Sequence, residues 1–129
     1  MKPSKSTVIT YWVATTFIFL FEGVMPALYS QSELGKEGVR HLGYPDYFGL
    51  ALVVFKIAGS ILIMIPGLPK RVKEWVYAGF AFDFIFASIS HWAVDGMGFQ
   101  TIMPLIILAI LMVSYVCYHK IYGSKAIAL

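Results

Sequence analysis

The sequence predicts an all-α membrane protein, a four-transmembrane-helix bundle with both termini cytoplasmic. Three observations carry this prediction. Of 129 residues, 59% are hydrophobic and only 13% charged, about half the charged share of a soluble domain. The apolar residues gather in four runs, each near the roughly 20 residues that a bilayer core requires at 1.5 Å per residue. The basic residues between the runs favour alternate loops. The length allows a single domain over residues 1–129, with helices expected at about 7–29, 46–65, 74–94 and 99–122.

The first run, TVITYWVATTFIFLFEGVMPALY, follows Lys2 and Lys5. It is too long for the apolar core of a signal peptide and has no A-x-A-like cleavage site, so an uncleaved signal anchor is expected. The segment SQSELGKEGVRHLGYP comes next, punctuated by Gly35, Gly38, Gly43 and Pro45; Ser32 to Leu42 can form a short interfacial helix. The second run starts at Asp46 and stops at Pro66-Gly67-Leu68-Pro69, where two prolines and a glycine end a helix firmly. Lys70, Arg71 and Lys73 follow as loop cations. The third run, Glu74 to Val94, ends in the turn Asp95-Gly96-Met97-Gly98. The fourth, Phe99 to Tyr122, has Pro104 early, where a missing amide donor costs least. Gly123-Ser124-Lys125 then leads into a short tail.

Sidedness follows from the charges. Lys2, Lys5, Lys70, Arg71, Lys73, Lys120 and Lys125 fall on one side, and Lys36 and Arg40 on the other. The positive-inside rule makes the first side cytoplasmic, as in a bacterial inner membrane. Tyr11, Trp12, Tyr29, Tyr47, Trp75, Trp92 and Tyr122 suit interfacial belts.

Composition also disfavours several functions. The lone Cys117 cannot form an internal disulfide and reads as packing; with no C-x-x-C, thiol–disulfide chemistry and thiolate metal sites are not expected. A net charge of +3 gives no reason to expect nucleic acid. His41, His91 and His119 fall in different regions, and no metal site is expected.

Four ionisable residues lie within the apolar runs: Glu22, Lys56, Asp83 and His91. A charge at the centre of a membrane helix costs about 2.5–3.5 kcal/mol on insertion scales, so partners or water must offset it. Lys56 and Asp83 sit near the middle of their runs and Glu22 a turn to the outer side. Lys56 can therefore reach Asp83 or Glu22. His91 is about 12 Å outward of Asp83 along the helix and cannot touch it. Gly79, Asp83, Ala87, Ser90 and His91 share a face, as do Thr15 with Glu22 and Gly49 with Lys56, Gly59 and Ser60. Small residues allow close approach, so this polar face is also expected to be the packed face. The first three helices are expected to converge on one polar cluster open to the outer side. With Glu22 and Asp83 ionised and Lys56 protonated, the cluster keeps one negative charge unless His91 or a carboxyl takes up a proton. Two readings stay open: an ion pair that fixes helix register, or a functional pocket or proton path. Lys56 can also snorkel, and His91 can be an interfacial histidine without a ligand role.

The stretches TYWVATTFIFLFEG, HLGYPDYFG, FKIAGSILIMIPG and KEWVYAGFAFDFIFASISHWAVDG resemble the DoxX-like family of small four-helix membrane proteins. By that resemblance Glu22, His41, Tyr44, Pro45, Lys56, Glu74, Tyr77, Gly79, Asp83 and His91 stand at positions of the family pattern. It implies a four-helix membrane fold, and wider relatives linked to thiosulfate–quinone oxidation, oxidative-stress defence, and reception or chaperoning of other proteins. The leading expectation is accordingly an accessory to redox or stress metabolism that binds a quinone or similar amphiphile at Glu22, Lys56, Asp83 and His91, capped by His41, Tyr44 and Asp46 of the outer loop. No catalytic, haem or flavin motif is present, so any redox role would be that of a subunit in a complex. The first alternative is a non-enzymatic accessory or chaperone that acts through a partner membrane protein or as a homo-oligomer, with the uncharged stretch from Phe99 to Val116 facing lipid or partner. The second is a small oligomeric transporter.

Overall fold

A computed structural model describes the backbone of residues 4–127 and the side chains of residues 4–122. Lys2, and the side chain of Lys125, lie outside the described residues. The described chain is helical throughout its regular structure. Helix α1 (Lys5–Phe19) runs through a π-helical turn (Leu20–Val24) into α2 (Met25–Tyr29). The short α3 (Glu33–His41) follows, then α4 (Asp46–Met64), α5 (Lys70–Asp95) and α6 (Phe99–Ile127).

Local chemistry sets the boundaries. The Ser4 hydroxyl caps α1 by accepting from the Thr7 amide at 3.1 Å. Ser32 accepts from the Gly35 amide and donates to the Tyr29 carbonyl, which turns the chain into α3. Gly43 (φ 91°) and Gly96 (φ 79°) end α3 and α5 in the left-handed region, where a side chain would be strained. The π turn has a local cause. Pro26 has no amide to give the Glu22 carbonyl four residues back. The Met25 amide bonds Leu20, five residues back, and the widened turn carries Glu22 and Gly23.

Among the described residues three helical stretches are long and apolar enough to cross a membrane: Lys5–Tyr29, Asp46–Met64 and Phe99–Tyr122. Helix α5 begins at Lys70, four residues before the apolar run, because Pro69 supplies its N-cap and the Lys73 amide bonds the Pro69 carbonyl. Helix α6 continues past Tyr122 to Ile127, through the residues expected to open a tail.

The core joins α1, α5 and α6, with Tyr11, Ile18, Tyr77, Phe80, Phe84, Ile107 and Leu111 buried; Ile63 of α4 completes it. The fourth apolar run, expected to face lipid or a partner, keeps such a face and has a packed one besides. Ile107, Leu111, Ser114, Cys117 and Tyr118 of α6 are buried, while Ile106, Val113 and Val116 stay exposed. Hydropathy cannot separate the two faces, because a core and a lipid phase select the same side chains. Cys117 is buried and unpaired, as expected for packing.

One correction concerns Lys73. Read as a loop cation, it is 0% exposed and donates to the Ile63 carbonyl at 2.6 Å.

Candidate functional site

The π turn, α4 and α5 bring three of the predicted charges together. Lys56 Nζ lies 3.0 Å from Glu22 Oε2 and 3.7 Å from Asp83 Oδ2. Glu22 is 5% exposed. Although Oε2 is close to the ammonium, it has no aligned hydrogen-bond donor among the described residues. The ammonium touches both carboxylates and saturates neither.

Lys56 forms part of the wall of three cavities. The first, about 350 Å³, is lined by Glu22, Lys56, Asp83 and His91 together with Gln100 and Pro104 of α6. The second, about 340 Å³, runs between the first long helix, α3 and α4; Glu22 and Lys56 line one part and Gln31, Lys36 and Asp46 another. The third is a largely apolar groove of about 360 Å³ between α4 and α5, with Lys56 and Asp83 among its walls. All four predicted pocket residues thus border one cavity, and α6 contributes to it as well.

The face of α5 differs from the expected one. Its packed side carries Val76, Tyr77, Phe80, Phe84 and Ser88. Gly79 and Asp83 are offset from that side and open onto the groove, and a Cβ at Gly79 would meet nothing within 4 Å. The small residue leaves a channel there instead of drawing a helix close. Close approach occurs at Gly23 instead, where an added Cβ would lie 2.6 Å from Ser60 Cβ.

The cap candidates occupy the end of the molecule that carries α3, and each has a partner. Arg40 Nε and Nη2 donate to the two Asp46 carboxylate oxygens at 2.9 and 2.8 Å, clamping α3 to the start of α4. Tyr44 stacks on Phe48, and its hydroxyl lies 2.6 Å from Ser90 Oγ of α5. His41 Nε2 lies 2.5 Å from Asp95 Oδ1, and His91 Nδ1 is 3.5 Å from the other oxygen of that carboxylate. The His41 ring beside Asp95 holds its carboxyl below the usual carboxylate range, and His91 adds to the effect.

This arrangement overturns the separation of His41 from His91. The loop folds back so that both histidines meet Asp95, a residue the sequence had assigned only to a turn. Its spacing from His91, four residues on a helix, was the available signal. Among the described residues no three His, Cys, Asp or Glu side chains are grouped as a metal ion would need.

A second polar network lies toward the other end and was not anticipated. Ser114 Oγ is 2.6 Å from Thr15 Oγ1 and 2.7 Å from the Tyr77 hydroxyl, all buried. Tyr115 donates to Glu74 Oε2 at 2.9 Å, and His119 Nε2 lies 2.7 Å from Oε1. The i, i+4 spacing of Tyr115 and His119 was visible, but nothing in the sequence aligned that pair with Glu74. Ile18, fully buried, stands between Thr15 and Glu22 along the helix.

Chemically, the Lys56 cluster can hold a polar group in apolar surroundings and exchange protons with it. The sequence model of the DoxX-like family matches residues 9–114. No curated protein and no solved structure matches the chain.

Proposed function

The chain belongs to the DoxX-like family, and on that premise we propose that it crosses the membrane four times and binds the polar head of a membrane amphiphile beside Lys56. A quinone or a molecule of similar build is the ligand class, and the role is accessory to redox or stress metabolism. The redox or stress setting rests on the family resemblance. Binding rests on one observation: a lysine and two carboxylates, incompletely paired, together line one cavity among apolar helices, and the lysine is shared with two more. Intramembrane charges of this kind are more often functional than not.

Four spans follow from treating α5 as a membrane helix alongside the three apolar stretches. Its 26 residues extend about 39 Å at 1.5 Å each, enough for a core of about 30 Å. An even number of spans puts both termini on one side, and the cations Lys5, Lys70, Arg71 and Lys120 favour the cytoplasm for it. His41, Tyr44 and Asp46 then cap the site from the outer side.

The test is mass spectrometry of small molecules carried by protein purified in native lipid. A stoichiometric amphiphile present with the parent protein and depleted from Asp83→Asn supports the proposal. Bulk phospholipid alone, identical in both proteins, defeats it.

A second reading has its own observation. The α4 span is 17% buried, against 33% and 39% for the other two apolar stretches. Leu50, Val54, Phe55 and Ile61 remain exposed along it. A partner membrane protein or a second copy covering that face would make the chain an accessory that acts by association. Cross-linking from Phe55 and Ile61 in intact membranes distinguishes protein from lipid there.

A further inference from the structure

The groove between α4 and α5 restricts what the head and tail of the ligand can be, granted the amphiphile reading above. Three features set its character. Its walls are apolar over most of their length, from Phe55 and Leu62 on α4 to Trp75 and Phe80 on α5. Its volume of about 360 Å³ lies near the low end of ligand pockets, which run from about 300 to 1,000 Å³. Its floor at Gly79 is open, with nothing within 4 Å of where a Cβ would stand. Lys56 and Asp83 are the charged residues that line it.

Charge decides which head fits. The Lys56 ammonium sits nearer Glu22, at 3.0 Å, than Asp83, at 3.7 Å. One cation cannot neutralise two carboxylates, and Asp83 is the one held more loosely. Asp83 also borders both the groove and the cavity that Glu22 and His91 line. Among the described residues no hydrogen-bond donor is aligned on Glu22 Oε2. The cluster therefore holds a spare acceptor, and with both carboxyls ionised it carries surplus negative charge. An anionic head would add a third negative charge beside one ammonium, an arrangement that like-charge repulsion disfavours most strongly where water is scarce.

We propose that the α4–α5 groove holds the hydrocarbon tail of a single-chain amphiphile whose head donates hydrogen bonds to Asp83 and carries no negative charge. Protonated amines and hydroxyl-bearing heads, the quinol form of a quinone among them, meet this requirement; fatty acids and an oxidised quinone, whose carbonyls only accept, do not.

Trp75 provides the readout. It lines the groove eight residues before Asp83, about 12 Å along the helix. Trp12→Phe and Trp92→Phe leave it as the single tryptophan. The protein is placed in phosphatidylcholine nanodiscs and titrated with an amine, an alcohol and a carboxylate that share one terminally brominated dodecyl chain, since bromine quenches indole fluorescence on contact. The amine and the alcohol are expected to quench saturably. The carboxylate is expected to need at least about tenfold more, the worth of one hydrogen bond to a charged group. Asp83→Asn should erase the advantage of the amine over the carboxylate and weaken binding of the alcohol as well. Gly79→Leu, whose side chain enters open space, should abolish saturable quenching by all three.

A carboxylate that quenches at the same concentration as the amine or lower overturns the inference. An anionic lipid found in stoichiometric amount in the native extract would do so too, while leaving the amphiphile reading standing. Quenching that is linear for all three probes and unchanged by Gly79→Leu removes both.

Discussion

The Lys73 ammonium, fully buried, donates to the Ile63 carbonyl at 2.6 Å and so closes the end of α4 from the first turn of α5. Ile63 belongs to the last turn of a helix that ends at Met64, where carbonyls have no amide partner within the helix. The Ile65 amide takes the Leu62 carbonyl at 3.2 Å, and Lys73 takes Ile63. A cation at a helix C-terminus also opposes the negative end of its dipole. The Tyr118 ring centroid, 5.9 Å from Nζ, offers the ammonium a second face. Lys73→Met should therefore lower stability by about 1–3 kcal/mol, the cost of leaving a buried carbonyl without its donor. Lys73→Gln, which retains an N–H, should recover part of this. Thermal unfolding in detergent, followed by far-ultraviolet circular dichroism, reads the order; equal Tm values for the Met variant and the parent would show the bond to be dispensable.

The Lys56 cluster predicts a pattern of non-additivity. Lys56→Met leaves Glu22 and Asp83 on a shared cavity with no cation between them. Removing one member of a buried pair costs about 3–5 kcal/mol, whereas replacing both with neutral groups is often nearly neutral. Lys56→Met alone should lose about 3 kcal/mol, and adding Glu22→Gln should restore most of it. The readout is equilibrium unfolding in mixed micelles as a double-mutant cycle. If the double variant is as unstable as the single one, the charge pairing does not hold these helices in register.

The cap should respond to acid in a defined direction. The His41 ring holds the Asp95 carboxyl below its ordinary range. A carboxyl depressed in the folded state stabilises the fold at pH values above its unfolded value. That contribution is lost as pH falls through the lower folded value, because the unfolded chain then binds more protons. The contact between α3 and the end of α5 should thus persist at the pH where free aspartate is half protonated and fail only below it. Carbon-13 NMR of the Asp95 carboxyl reads this directly. The midpoint should lie below that of free aspartate in the parent and move upward in His41→Phe; an unmoved midpoint would mean that His41 does not set it.

Much of this was legible in the residues. Depth alone brought Glu22, Lys56 and Asp83 within reach, since a charge in an apolar run must find a partner at its own level. What escaped detection did so for physical reasons. Lys73 reads as a loop cation because hydropathy scores composition, whereas its burial depends on where α4 stops. Asp95 reads as a turn residue because the contact with His41 spans 54 residues. The buried face of α6 was hidden because every side chain from Ile102 to Met112 suits lipid and core alike; Thr101, Ser114 and Cys117 mark its inner side. Pro26 was a missed sign, as a proline four residues after Glu22 removes the amide that would close an ordinary turn.

That widened turn leads to a last prediction, at the closest approach of the first long helix to α4. A Cβ added at Gly23 would lie 2.6 Å from Ser60 Cβ and 2.8 Å from its Oγ. Ser60 is fully buried, so its side chain cannot swing into solvent. Gly23→Ala must push the helices apart or strain the π turn, and overpacking of this kind costs about 1–3 kcal/mol. Because Glu22 is the adjacent residue, the shift should also loosen its contact with Lys56. Ser60→Gly removes the opposing Cβ, at about 1 kcal/mol for a glycine within a helix. The pair Gly23→Ala with Ser60→Gly should therefore be more stable than Gly23→Ala alone, although each change by itself destabilises. Melting temperatures of the four proteins decide the matter. If Gly23→Ala melts with the parent, the helices have room to separate, and the Gly23–Ser60 contact does not set the depth at which Glu22 meets Lys56.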